Sequence, residues 1–295
     1  MNDFSPDWLK LRESADVRAR NRDVADVVSA RFALRDQASV VDLGCGTGSN
    51  LRATAQLLPA RQSWTLVDHD RALLAAAQRE LTAWADRAEL VDPAETPTAG
   101  VGYLPHALEL TKGSLAIAVR FRELDLAREL ESALSEPVDM VTASALFDLV
   151  SEDFIRALAR SVTKAGATFY TVMTCNGVQR WSPHRPADNQ IQSAFQQHQM
   201  GDKGFGPAAG PLAASILAEE FRLSGYLITE GESPWRLGRN DRMLINEMVR
   251  GHAMAASETG LVDAKTIENW VKVQRTAAET GHLDVCAVPT AAVRF

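Results

Sequence analysis

Apolar and polar positions along this chain alternate between a helical period and a strand period. From Asp7 to Phe32, the residues Trp8, Leu11, Ala15, Val24, Val27 and Val28 recur near helical spacing, which predicts one N-terminal helix. "SVVDLG" then reads as a buried strand ending at glycines, and "TGSNLRATAQLL" as a helix stopped by Pro59. "SWTLVDHD" is a second strand, and "RALLAAAQRELTAWADRA" a second helix rich in strong helix formers. Strand, helix, strand, helix at this spacing predicts a right-handed parallel α/β sheet.

The rhythm breaks over residues 89–113. "DPAETPTAGVGYLPH" reads as loop, and "ALELTKGSLAIAVRFREL" alternates around Lys112-Gly113, a tight-turn pair. The pattern predicts an insertion and then a hairpin whose second arm is the third core strand. "DLARELESAL", "PVDMVTAS", "SEDFIRALARSV" and "ATFYTVMT" continue as helix, strand, helix and strand. From Cys175 to Leu212 the chain turns irregular, with Pro, Gly and a Gln/His cluster, and reads as a lid over a substrate. "AASILAEEFRLSG" is a helix, "YLITEGE" a strand, residues 240–280 two helices, and "HLDVCAVP" a last strand. The expected organisation is a helical cover at 1–34, a core at 35–175, a covering insertion at 176–212 and completion of the sheet at 213–295.

Composition narrows the function more than the fold. Of 295 residues, 46% are hydrophobic and 23% charged, enough to bury the core of one elaborated domain or two small ones. The net charge of −7, with no dense Lys/Arg cluster, argues against a DNA or RNA partner. Cys45, Cys175 and Cys286 stand far apart, with no Cys-x-x-Cys and no His set at metal spacing. That predicts a reducing, cytoplasmic location and no metal site. No apolar run approaches the roughly 18–20 residues of a membrane span, and the polar, acidic N-terminus does not read as a secretory signal.

The chemistry concentrates in "VVDLGCGTGSNLR". Its glycines are Gly44, Gly46 and Gly48, with Ser49 where the dinucleotide fingerprint G-x-G-x-x-G needs its third glycine. No lysine follows them, as a triphosphate loop requires. Both phosphate readings are weakened, and an acid two positions ahead of a G-x-G-x-G turn remains. This stretch resembles motif I of the class I S-adenosylmethionine-dependent methyltransferases. The resemblance covers residues 35–175 well and the remainder loosely. It implies a doubly wound, mostly parallel seven-stranded α/β sheet of order 3-2-1-4-5-7-6, with S-adenosylmethionine as methyl donor and S-adenosylhomocysteine as product. It also implies that Asp42 serves the donor's ammonium, while Gly44, Cys45, Gly46, Gly48 and Asn50 shape the cradle. Asp68, closing the second strand, would accept from the ribose hydroxyls, and His69 would lie against the adenine. Asp125 and Leu126 would meet the adenine, and Ser144 would bring backbone to the methyl donor. Asp70 reads as a helix cap, and Asp125 has that alternative too. Arg20 either reaches the donor's carboxylate or lies on the solvated face of its helix.

The acceptor side is less legible. His198 is offered as a general base, with an exposed helical histidine as its alternative. Asp148 either faces the pocket or opens a helix. Gln199, Trp235 and Arg236 are offered to the substrate, the last two through stacking and ion pairing. The tetrapeptide of the "N-P-P-Y" type, used on adenine or amide nitrogens, is absent where strand four gives "TASALF". The expectation is methyl transfer to a small-molecule oxygen, nitrogen or sulfur, by a chain that a homodimer would suit. Transfer to RNA or protein, a non-catalytic donor-binding subunit, and aminopropyl transfer are the alternatives.

Overall fold

In the computed structural model, which describes residues 5–91, 102–280 and 284–294, the N-terminal helical pattern is divided in two. Helix α1 (Pro6–Ala19) begins where the Ser5 hydroxyl accepts the Trp8 N–H, and ends at Arg20, whose backbone turns extended. Asn21 then caps α2 (Arg22–Phe32) by accepting the Val24 N–H. The single helix expected over Asp7–Phe32 is corrected: an asparagine inside the run competes for backbone N–H groups and starts a new helix.

Strand β1 (Gln37–Leu43) runs parallel to β2 (Arg61–Asp68) on one side and β6 (Met140–Ser144) on the other. β5 (Leu115–Glu123) lies parallel beyond β2, and β7 (Thr168–Ser182) beyond β6. β10 (Asp284–Arg294) is antiparallel to β7, and β8 (Ile228–Glu232) is antiparallel to β10. Counted in chain order, these seven strands are arranged 3-2-1-4-5-7-6, as expected. Two more strands, β3 (Arg87–Val91) and β4 (Ala107–Lys112), extend the edge beyond β5 in antiparallel fashion. β4 and β5 form the expected hairpin turning at Gly113, whereas β3 spans the end of the expected helix (Arg87, Ala88) and the start of the expected insertion. Its partner β4 lies across the insertion, so nothing local in "ADRAEL" announces the pairing. A short β9 (Trp235–Leu237) pairs with the first part of β10.

β1 is buried on both faces, which is why it reads as a near-continuous apolar run. Ala38 and Val40 join one core with α2, α3 (Ser49–Thr54) and α4 (Arg71–Trp84), through Val28, Leu51 and Leu74. Val41 and Leu43 join a second core with α5 (Leu126–Ala133), α6 (Glu152–Ala165) and α8 (Ala213–Leu223), through Leu130, Leu158 and Phe221. Each fully buried aliphatic side chain of this kind contributes about 2 kcal/mol. The exception in β1 is Asp42, a carboxyl of 0% exposure placed among them. Such a group is retained at a cost, and the site described below supplies the reason.

The irregular lid expected from Cys175 onward is also corrected. Residues 175–182 continue β7, paired with the first part of β10. Helices α7 (Asp188–Gln199), α9 (Arg242–Thr259) and α10 (Ala264–Thr280) pack over this ribbon, around the edge-to-face rings of Trp181, His252 and Trp270. Asp188, buried beneath them, accepts from the Trp270 and Gln274 side chains. The partner strand lies at the far end of the chain, so local punctuation misled the reading.

Candidate functional site: a glycine cradle under helix α1

The first βα turn leaves β1 through Gly44, Cys45, Gly46, Thr47 and Gly48, and is held by backbone bonds from Cys45 to Val67 and from Gly48 to Cys45. Gly46 has φ +53°, and a Cβ there would come within 2.9 Å of Leu9 Cδ1 on α1. Only glycine permits both the left-handed backbone and the close roof. α1 is strapped down beside it. Arg52 on α3 forks onto Glu13 at 2.9 and 2.7 Å and donates to the Thr47 carbonyl at 2.9 Å.

Beneath the loop lies a buried polar row. Asp42 of β1, Thr142 of β6 and Tyr170 of β7 stand at one level in neighbouring strands. Asn50 on α3 donates to Asp42 Oδ1 at 2.8 Å and to the Thr142 hydroxyl at 3.0 Å. Its own carbonyl oxygen accepts from Arg20, which also donates to Thr54. Asp42 Oδ2 is sealed from solvent with no hydrogen-bond partner. Burial pushes the Asp42 carboxyl up to about 7, against the help of Asn50 and Arg20.

Asp68, at the end of β2, accepts from the Gly46 N–H at 2.9 Å and the Asp70 N–H at 3.0 Å, which ties the acid to the glycine turn. Burial raises its pKa, while these two bonds hold it down. Each carboxylate oxygen keeps further acceptor capacity. Beyond Asp68, a cleft of about 440 Å³ opens at the carboxyl ends of β2 and β5. His69, Tyr103, Leu104, Pro105, Leu124 and Asp125 line it. Tyr103 is fixed from behind, its hydroxyl on Glu136 at 2.7 Å and its ring 5.0 Å from both the Arg120 and Arg122 guanidinium carbons.

On the other side of the glycine loop, past β6, Asp148 is buried in a short 3₁₀ turn (Phe147–Leu149). Its Oδ1 stands 3.5 Å from the Cys175 backbone N–H, a weak bond. Burial raises its pKa, and the field of Arg12, reaching across from α1, lowers it. The Cys175 thiol is pushed up to about 11 by burial and by Asp148, so it stays protonated, with Gln199 as a neighbour. Ala145 and Met173, just beyond the paired Ser144 and Val172, both have left-handed backbones (φ +55° and +60°). For non-glycine residues this is strain of about 1 kcal/mol or more each, of the kind that collects at functional edges.

No protein-family model matches the chain, and no curated protein matches it. Among solved structures, it is similar to a cyclopropane-fatty-acyl-phospholipid synthase-like protein from Lactobacillus casei. The identity is 12% over 99% of this chain and 94% of that one, with a TM-score of 0.53. S-adenosylmethionine-dependent methyltransferases from Thiobacillus denitrificans and Geobacter sulfurreducens, each in complex with S-adenosyl-L-homocysteine, are both 14% identical. They cover 99% of this chain and 98% and 99% of their own, with TM-scores of 0.43 and 0.45. The first likeness agrees with the strand order and its antiparallel seventh strand. The chain has the class I methyltransferase fold.

Within that fold, Asp42 and Asn50 meet beneath the turn Gly44–Gly48, Asp68 is bonded to the Gly46 N–H of that turn, and His69 lines the cleft beyond it. Asp125 lines it too, while also capping α5 at the Ala127 N–H and facing Arg128. Ser144 ends β6, next to the left-handed Ala145. Leu126 is corrected: it is buried among Leu124 and Leu130 and borders a separate groove of about 1050 Å³ between α5 and α6. Arg20 lies on no solvated face, since its guanidinium is engaged by Asn50 and Thr54. His198 Nε2 lies 2.8 Å from Glu258, joining α7 to α9. Trp235 is buried with its indole N–H on Asp16, and Arg236 is exposed on the neighbouring position of β9. Sequence reasoning missed Leu9, Arg12, Tyr103 and Leu104. No pattern in the sequence marked them, since each is placed by contacts between distant segments.

Proposed function

We propose that the chain binds S-adenosylmethionine in this crevice and transfers its methyl group to a small-molecule acceptor. The observation that carries the reading is the order of groups along one edge of the sheet. A sealed, half-partnered carboxylate lies under the glycine turn, a second carboxylate closes β2, and a cleft walled by Tyr103, Leu104, Pro105 and Leu124 together with charged side chains follows. That sequence matches an ammonium, a ribose diol and an adenine. The cradle fits a ligand without phosphate, since no lysine follows the glycines and an acid lies beneath them. Asp42 Oδ2 would take the ammonium, Asp68 the ribose hydroxyls, and Asp125 with the Tyr103–Pro105 wall the adenine.

The bound donor supplies an already activated methyl on sulfur, so the protein's task is to orient it and exclude water. α1 roofs the glycine turn, and the rim formed by Ala145 and Met173 sets the acceptor's approach. Asp148, with its raised pKa and weak hydrogen bond, would receive the proton of an oxygen or nitrogen nucleophile. The acidic net charge favours a small molecule over nucleic acid. The free cysteines Cys45 and Cys175 favour a cytoplasmic setting, and among the described residues no helix is long and apolar enough to cross a membrane.

Titration calorimetry with S-adenosylhomocysteine tests the reading. Binding by the wild-type chain and at least a hundredfold loss in Asp68→Ala are expected. Binding of NAD(H) in place of S-adenosylhomocysteine would overturn it.

A further inference from the structure

Arg20, one of whose two sequence readings reaches the donor's carboxylate, spends its Nη groups on Asn50 and Thr54. A second arginine has the opposite character. Arg12 lies one helical turn after Leu9 on the face of α1 turned to the glycine loop. Its Nε and Nη2 fork onto Asp16 at 2.9 and 3.2 Å, and its guanidinium stacks 5.0 Å from the Trp235 ring. Asp16 is itself held by the Trp235 indole N–H at 2.9 Å. The side chain is only 14% exposed, so this guanidinium is preorganised in one orientation. Its Nη1 has no acceptor among the described residues, although its field reaches both Asp148 and Cys175. A guanidinium that only fastened β9 to α1 would need the fork and the stack and nothing more. Arg12 keeps Nη1 beyond both, on the helix whose Leu9 lies over Gly46. Planar, always charged and forked, guanidinium is the side chain suited to a carboxylate.

We infer that Arg12 is a carboxylate-binding residue in the roof of the reaction chamber. Two carboxylates can arrive there, the α-carboxylate of the donor and one borne by the acceptor. The donor arm rests on the function proposed above; the acceptor arm does not.

The test uses the full chain as wild type, Arg12→Gln and Arg12→Lys, the last keeping charge and stem but not the planar fork. S-adenosylhomocysteine and 5′-methylthioadenosine, which lacks the amino-acid tail, are titrated by calorimetry. Benzoate is titrated by ligand-observed NMR with and without S-adenosylhomocysteine. For a donor carboxylate, Arg12→Gln weakens S-adenosylhomocysteine at least tenfold and leaves methylthioadenosine within twofold, with Arg12→Lys between. For an acceptor carboxylate, both nucleosides are unaffected and benzoate binding is lost in Arg12→Gln. Methylthioadenosine binding certifies that each variant is folded, and Arg12→Lys decides the matter if Arg12→Gln is not. If neither S-adenosylhomocysteine nor benzoate distinguishes the variants from wild type, Arg12 is a structural clamp and the inference fails. If wild type binds neither nucleoside, the methyl-donor reading fails, and the benzoate arm still judges Arg12.

Discussion

Asp42 shows how a single buried group can tie stability to binding. Burial lifts its carboxyl from 3.8 to about 7. Between those values the folded protein keeps a proton that the unfolded chain has released. This group's contribution to stability is therefore complete below pH 4 and is lost as pH rises to about 7. An ammonium pairing with Oδ2 favours the ionised form and reverses the penalty. Asp42→Asn should therefore raise the melting temperature of the free protein at pH 8, while weakening S-adenosylhomocysteine about tenfold or more. In wild type, the affinity should fall about tenfold per pH unit below 7, and that slope should vanish in the variant. Calorimetry between pH 5.5 and 8 reads both, and an unchanged slope in Asp42→Asn would place the titrating group elsewhere. The glycine turn offers a steric counterpart. Gly46→Ala forces a Cβ onto a left-handed backbone and to 2.9 Å from Leu9, so a loss of about 1–2 kcal/mol is expected in urea unfolding. Adding Leu9→Ala should restore the part due to the clash and not the part due to φ.

The elements over the β7–β10 ribbon have their own pH dependence. His252 is stacked on Phe195 at 4.0 Å, and its two nitrogens face the Met248 carbonyl and the Gln179 amide. A neutral ring donating from Nδ1 needs the Gln179 amide nitrogen, not its oxygen, opposite Nε2. Burial lowers the His252 pKa from 6.5 to about 4, opposed by the Met248 carbonyl. Over that window the unfolded chain takes up a proton that the folded protein refuses. Stability is therefore lost as pH falls from 6.5 to 4, by an amount on the order of 3 kcal/mol. Asp42 changes stability in the opposite sense over the same range, so the comparison is between proteins: in urea unfolding, the stability of wild type relative to His252→Gln should fall from pH 7 to pH 5. A difference that stays constant with pH would show that His252 is not the titrating group.

Over the whole molecule, α1 is the part that joins distant pieces of chain around the crevice. Glu13 meets Arg52, Asp16 meets Trp235, Arg18 meets Asp241 and Leu9 covers Gly46. Exchange of the Leu9–Ala19 amides should therefore slow on adding S-adenosylhomocysteine, together with those of residues 44–50. Protection of the loop alone would detach α1 from the site. The seven-strand order was legible because each core strand and its crossover carry their own period and punctuation. The placement of Asp42, Asp68 and Asp125 along one edge was legible because they lie near strand ends that the glycine turn marks. The long ribbon, β3 and the roles of His198 and Leu126 were not, since each depends on which side chain lies opposite.

Local pattern alone thus settles the α/β alternation, the glycine turn and the acids that flank it, because hydrophobic period and backbone conformation are properties of neighbouring residues. The partner strand of residues 175–182, the partners that Arg12 and Arg20 take, and the pKa of Asp42 belong to the folded state. They depend on contacts between segments far apart in the chain, and on how completely those segments exclude water.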